Sequence, residues 1–280
     1  MPDNIVDFSY PYILRSTLQQ TAEGLLYQPP SMFPGGLAGR TSDFMGLTVR
    51  RFELHNRSGG SISVGLGYRI ANKYWRAGFW TDATTAYGDD TTDAQDVSAD
   101  AADFPMETAT TNNDGFVILS LVPFDAVSLR VITAGVDGAA AADHAVRYSN
   151  FAGTGWTALD TASTYTDQFT NTNAIYAAGA LEFVWKAPVN WGKVVSIGDI
   201  PAGYFALNIR ATTAPDTTAA VASVIEIFRF PVLTEGLGDN GVYGPPDFIQ
   251  PWSREADALV GYFSTANAGN KIYAEVKAGG

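Results

Sequence analysis

Residues 147–212 read RYSNFAGTGWTALDTASTYTDQFTNTNAIYAAGALEFVWKAPVNWGKVVSIGDIPAGYFALNIRAT, and this stretch decides the fold. Short runs of alternating apolar residues are separated by clusters of Gly, Asn, Asp and Thr, the one-dimensional signature of antiparallel strands and turns. In 181–186, Leu181, Phe183 and Trp185 share one face, while Glu182 and Lys186 are expected to face water. In 203–210, Phe205, Leu207 and Ile209 are expected inward, with Asn208 and Arg210 outward. Pro188 ends the first run, because a proline ring has no N–H to give to the ladder. The stretch specifies a β-sandwich with Trp156, Trp185 and Trp191 in or around its core, and it offers no catalyst.

Its landmarks come in a fixed order: Gly155, Trp156, Thr157 and Leu159; Asp167 and Phe169; Gly179, Leu181, Phe183, Trp185, Pro188 and Trp191; then Gly203, Tyr204, Phe205, Leu207, Ile209 and Arg210. This order resembles a β-sandwich module of bacteriophage structural proteins, over residues 147–212. Such modules occur in capsid-decorating (cement) proteins, in fibres and in bacterial surface proteins. The resemblance implies a sandwich and a structural role. It marks core and turn positions and transfers no active site.

Working outward, 280 residues suit one large domain or two modest ones. Charged residues are 16% of the chain against 46% apolar, and soluble domains usually carry roughly 25% charged residues. Such a chain needs extensive strand or an assembly partner to cover its apolar surface. The net charge of −12 speaks against nucleic acid, since no basic field is present to displace counterions from phosphates. Arg50 and Arg51, with Arg69, Lys73 and Arg76, read as surface or interface residues. The absence of cysteine removes disulfides, thiolate metal sites and thiol nucleophiles, and it suits synthesis in a reducing cytoplasm. The first residues, with early Asp3 and Asp7, do not read as a secretory signal. No run approaches the ~20 apolar residues of a membrane span; the nearest, 221–233, is broken by Glu226, Arg229 and Pro231.

Four segments are expected. Residues 1–45 form an extended N-terminal arm with a short helix over 16–27, where Thr17–Gln20 has capping-box form and Leu14, Leu18, Ala22, Leu25 and Leu26 share a helical face. The following 27–36, YQPPSMFPGG, suits an extended segment lying on its own domain or reaching to a neighbouring subunit. Residues 46–138 form a first sandwich that opens with a hairpin over 44–70 turning at 56–60, and it contains a long structureless Asp/Thr-rich loop at 81–114. Strands are expected at 116–122 and 127–133, with a boundary near 138, where glycine and four alanines read as a linker. Residues 139–234 form the second sandwich, closed by a strand over 221–233, and 235–280 a C-terminal extension with a hairpin of 259–263 and 271–277.

Chemistry is sparse. His55 and His144 read as strand-end residues, with no serine–glycine elbow near either. Glu53, Glu182 and Glu226 lie on strands, where a glycosidase pair would need two carboxylates about 5–10 Å apart across a cleft. The run Asp82, Asp89, Asp90, Asp93, Asp96, Asp100 and Asp103 reads as a solvated loop rather than a calcium loop, which would close with a bidentate glutamate. Trp75, Phe79, Trp80 and Tyr87, at the margin of the 81–114 loop, are candidates for sugar stacking or for anchoring a subunit. Phe8, Tyr10, Tyr12, Met32 and Phe33 are the contact candidates of the arm.

The expectation is an all-β chain of two antiparallel β-sandwich modules, jelly-roll or Ig-like, with an extended N-terminal arm and a short helix. It is not expected to be an enzyme or to need a cofactor. Its expected role is capsid decoration in a virion, after synthesis in the host cytoplasm, binding and bridging capsid or other virion subunits as a homo-oligomer, a trimer or dimer. Neither nucleic acid nor membrane is an expected partner. The alternative is a receptor- or glycan-binding module of a tail fibre or surface appendage.

Overall fold

The computed structural model describes residues 24–27, 47–96, 104–106, 113–133, 135, 144–159, 164–167, 179–212, 221–244, 250–251, 255–265 and 270–278. In chain order these form β1 (Gly24–Tyr27), β2 (Leu47–His55), β3 (Ile62–Ile70), β4 (Trp75–Thr81), β5 (Ala86–Asp89), α1 (Thr91–Ala94), β6 (Phe104–Pro105), β7 (Gly115–Ser120) and β8 (Ala126–Thr133). Then come β9 (His144–Ser149), β10 (Trp156–Ala158), β11 (Thr164–Asp167), β12 (Gly179–Trp185), β13 (Phe205–Ala211) and the 17-residue β14 (Val221–Leu237). The chain ends with β15 (Val242–Tyr243), β16 (Gln250–Pro251), β17 (Ala256–Phe263) and β18 (Lys271–Ala278). The protein is thus mostly β, in antiparallel sheets, as the period-2 patterning requires. Among the described residues no helix is long and apolar enough to cross a membrane.

Two units form. A central unit spans Asn72–Arg229, and a terminal unit joins Met1–Ala71 to Phe230–Gly280. The boundary expected near 138 therefore falls inside the central unit. The chain on both sides of it enters the same sheets: β7 and β9 both flank β13, while β12 and β14 both flank β8. Local composition marks a loop, but strand pairing decides what folds together.

In the terminal unit β17 pairs with both β1 and β3, while β2 pairs with β18 on one side and with β15 and β16 on the other. Two expected hairpins are corrected here. β2 and β3 exist but belong to different sheets, and so do β17 and β18. Each connection arches from one sheet to the other. The first arch is fixed by Asn56, fully buried, whose N–H donates to the Gly241 carbonyl and whose side-chain amide donates to the carbonyls of Gly60 and Leu237. The Arg57 N–H donates to Asn270 Oδ1 at 2.7 Å, tying the first arch to the second. The helix expected over 16–27 is also corrected: Gly24–Tyr27 is a strand, and the rest of that span lies outside the described residues. Glycine is a poor helix former, and a partner strand outweighs a local apolar stripe.

In the central unit β8 lies between β12 and the first half of β14, with β11 outside β12 and β6 beside the start of β14. Pro231 lies beyond the last rung to β8, Phe228–Ala126, so its missing N–H breaks no bond there. A second sheet has the order β10-β9-β13-β7-β4-β5. Phe104 of β6 meets Phe116 of β7 edge-on at 5.7 Å. Phe124, Phe183, Trp185, Trp191 and Phe205 form a chain of ring contacts with centroid distances of 5.0–6.3 Å. The inward faces of β12 and β13 are as read from sequence, but the opposite faces are not wet. Glu182 is 3% exposed and Asn208 is fully buried. The span 81–114 is corrected as well, since it contains β5, α1 and β6.

Candidate interaction surface

On the second sheet of the central unit, Trp80, Val117, Leu119 and Ala206 present an apolar strip. The connection from β12 to β13 folds back over it and lays down Val194, Ile197 and Ile200. The flap is closed on itself by Val194 N–H to Tyr204 carbonyl at 2.7 Å and Gly203 N–H to Val194 carbonyl at 2.8 Å, and Asp199 N–H reaches the Thr85 carbonyl at 3.1 Å. Gly198 has φ +50°, and a Cβ there would land on the Thr85 carbonyl oxygen, so only glycine fits. At the flap's base, Ser149 Oγ donates to the Gly192 carbonyl and accepts from the Trp191 indole and the Ala206 N–H.

Beside the flap the same face turns polar. Arg147 of β9 donates to Asp82 at 2.5 Å and to Asn208 at 2.6 Å, and its guanidinium stands 5.0 Å over the Trp156 ring. Asp82 also accepts from the Trp80 indole at 3.1 Å, and Trp80 meets Trp156 edge-on at 5.9 Å. Asn208 passes the network on to the Phe116 carbonyl, and Arg210 donates to Asn113. Burial would push the Asp82 carboxyl up. The bonds from Arg147 and Trp80, with the charges of Arg147 and Arg210, outweigh it and hold the pKa below the usual 3.8. Burial likewise pushes the Arg147 guanidinium down, opposed by its bond to Asp82.

One end of this sheet carries the exposed surface. Ser120 lies opposite both Trp75 and Phe205, and Ser149 opposite Trp156, so five strand ends align there. Around them stand Phe151 at 80% exposure, Val189 at 103% and Val195 at 66%, with Leu121 nearby at the exit of β7. The turn after β9 is tied to the flap, since the N–H groups of Val195 and Ser196 both donate to the Gly153 carbonyl. Gly153 has φ +70°, and a Cβ there would strike the Lys193 carbonyl.

The residues singled out from sequence end in different places. Trp75 and Trp80 are 2% and 1% exposed, so they are core residues and not a loop-margin platform, while Phe79 and Tyr87 are partly buried. Burial, then the Asp89 charge, pushes the Tyr87 phenol well above its ordinary range. Phe8, Tyr10, Tyr12, Met32 and Phe33 lie outside the described residues. Glu182 and Glu226 both stand opposite Ser128, two strands or roughly 10 Å apart, but Glu182 is buried where a sugar would need access. Glu53 bonds to His55, which ends β2, and His144 begins β9. Asp89 accepts from the Thr91 N–H and hydroxyl and pairs with Arg76 at 3.3 Å. Among the described residues no group of three or more His, Asp or Glu is placed to hold a metal ion. Sequence reading missed Phe151, Val189 and Val195. Their signal was an apolar residue inside an otherwise polar or glycine-rich turn.

No family model, no curated protein and no solved structure matches this chain.

Proposed function

We propose that this chain is a virion structural protein, a capsid decoration or cement protein of two β-sandwich modules that binds and bridges neighbouring subunits. The observation that carries the reading is the exposure of Phe151, Val189 and Val195, three apolar side chains standing in solvent on the connections from β9 to β10 and from β12 to β13. Covering each such side chain is worth about 1.5–3 kcal/mol. All three also fall within residues 147–212, the stretch that resembles phage sandwich modules. The alternative reading, a receptor- or glycan-binding module, draws on Trp156, partly buried beside Arg147 and Asp82.

The test is the protein's copy number and location in purified particles, measured by quantitative mass spectrometry and antibody labelling. A decoration protein is present at many symmetric copies on the shell, and Phe151→Asp lowers its incorporation at least tenfold. Absence from particles overturns the reading. Presence only at a tail tip, with sugar binding lost in Trp156→Ala, favours the alternative.

A further inference from the structure

We propose that the occupant of the Phe151–Val195 end is a second copy of this chain, docked head to tail onto the corner formed by β5 and α1. The inference rests on the reading of that end as a subunit contact and names the subunit. Local charge is the first argument. The segments 145–159 and 183–198 contain no Asp or Glu, in a chain with 29 acidic and 17 basic residues. The exposed charges interleaved with Val189 and Val195 are Lys186 and Lys193, and Lys193 holds its ammonium 5.3 Å over the Phe205 ring. The end is therefore apolar and basic on an acidic protein, and its complement is apolar and acidic.

The corner at β5 and α1 fits that description. Asp89, Asp90 and Asp93 gather there, and burial followed by the charges of Asp93 and Asp89 raises the Asp90 carboxyl above its usual range. Arg76 reaches Asp89, while among the described residues no cation pairs with Asp90 or Asp93. Next to the acids lie Tyr87 and Tyr204, partly buried, with Arg76 5.9 Å over the Tyr204 ring. Tyrosine is among the residues enriched at protein contacts.

The symmetry follows from the same charges. A two-fold contact of the apolar end with itself would set Lys186 and Lys193 against their own copies, which repels. The acid corner, in contrast, lies beside β5 and the start of β4, and Phe151 follows β9, three strands away from β4 along the same end of the sheet. A contact that sets one patch on a different patch, made once between neighbouring copies, is head to tail, and when it closes it makes a ring of three or more copies.

Sedimentation equilibrium of the purified full chain across sodium chloride concentration tests this. The expected result is an assembly of three or more copies that weakens as salt rises, because opposite charges across the contact are screened. Phe151→Asp gives monomer. Lys193→Glu and Asp93→Lys each weaken assembly about tenfold or more, and the double variant, which restores opposite signs across the contact, recovers it to within about threefold. Val242→Asp, an exposed apolar position of the terminal unit, leaves assembly unchanged.

A monomeric wild type at about 100 µM, a dimer strengthened by salt, or a double variant no better than the singles overturns the proposal. Should Phe151→Asp lose its near-ultraviolet spectrum, the charge-swap variants decide alone. A monomer that still loads onto particles through Phe151 overturns the second-copy assignment and leaves the subunit-contact reading standing.

Discussion

Arg147 and Asp82 show what a charged pair can do on a sheet face that is only partly dry. The guanidinium is committed in three directions, to a carboxylate, an amide and an indole ring, so its position is set by the strands that carry those groups. Asp82 is about a third exposed, and water screens part of the attraction. Its pKa lies lower in the folded protein than in the unfolded chain, so it contributes stability above about pH 5. That contribution fades as pH falls through the depressed folded value, below 3.8. Asp82→Asn should therefore cost on the order of 1 kcal/mol at pH 7, and the gap to wild type should close toward pH 3. Urea melts at both pH values measure it. A gap that is the same at both would mean that packing at the site matters and its charge does not.

At the scale of elements, the flap between β12 and β13 explains why alternation misjudged one face of β13. The pattern of Phe205, Leu207 and Ile209 told which side is apolar, and on that side Leu207 and Ile209 are buried and Phe205 partly so. It carried no information about a returning loop of Val194, Ile197 and Ile200, whose spacing matches neither helix nor strand. The flap depends on the turn after β9. Gly153→Ala forces an alanine into φ +70° and drives its methyl into the Lys193 carbonyl. The expected loss is about 1–3 kcal/mol, with faster hydrogen exchange of the Val195 and Ser196 amides that bond to Gly153. Unchanged exchange at those two amides would show that the flap holds itself independently of the turn.

For the whole molecule, the order of pairing matters more than the order of sequence. The terminal unit is assembled from both ends of the chain, with β18 beside β2 and β17 beside β3. Removing residues 252–280 therefore takes one long pairing partner from each of two nine-residue strands near the other end, β18 from β2 and β17 from β3. Limited proteolysis of that truncation should cut within 47–70 and 230–244 and spare the described strands of the central unit, with one melting transition lost. Equal resistance in both regions would mean that β2 and β3 find their order without those partners.

The sequence by itself determined that this is an antiparallel β protein and which face of β12 and β13 is apolar. It also placed the strands at 116–122, 127–133 and 221–233 close to where they form. Those features depend on neighbours one or two residues away, through alternation, turn residues and proline. Only the tertiary structure decided that β2 and β3 part into different sheets, that Trp75 and Trp80 are core, and that Glu182 and Asn208 are buried. It also gathered Phe151, Val189 and Val195 at one exposed end. Each of these depends on what a distant segment lays against the residue, and the cost or gain of that contact leaves no trace in local spacing.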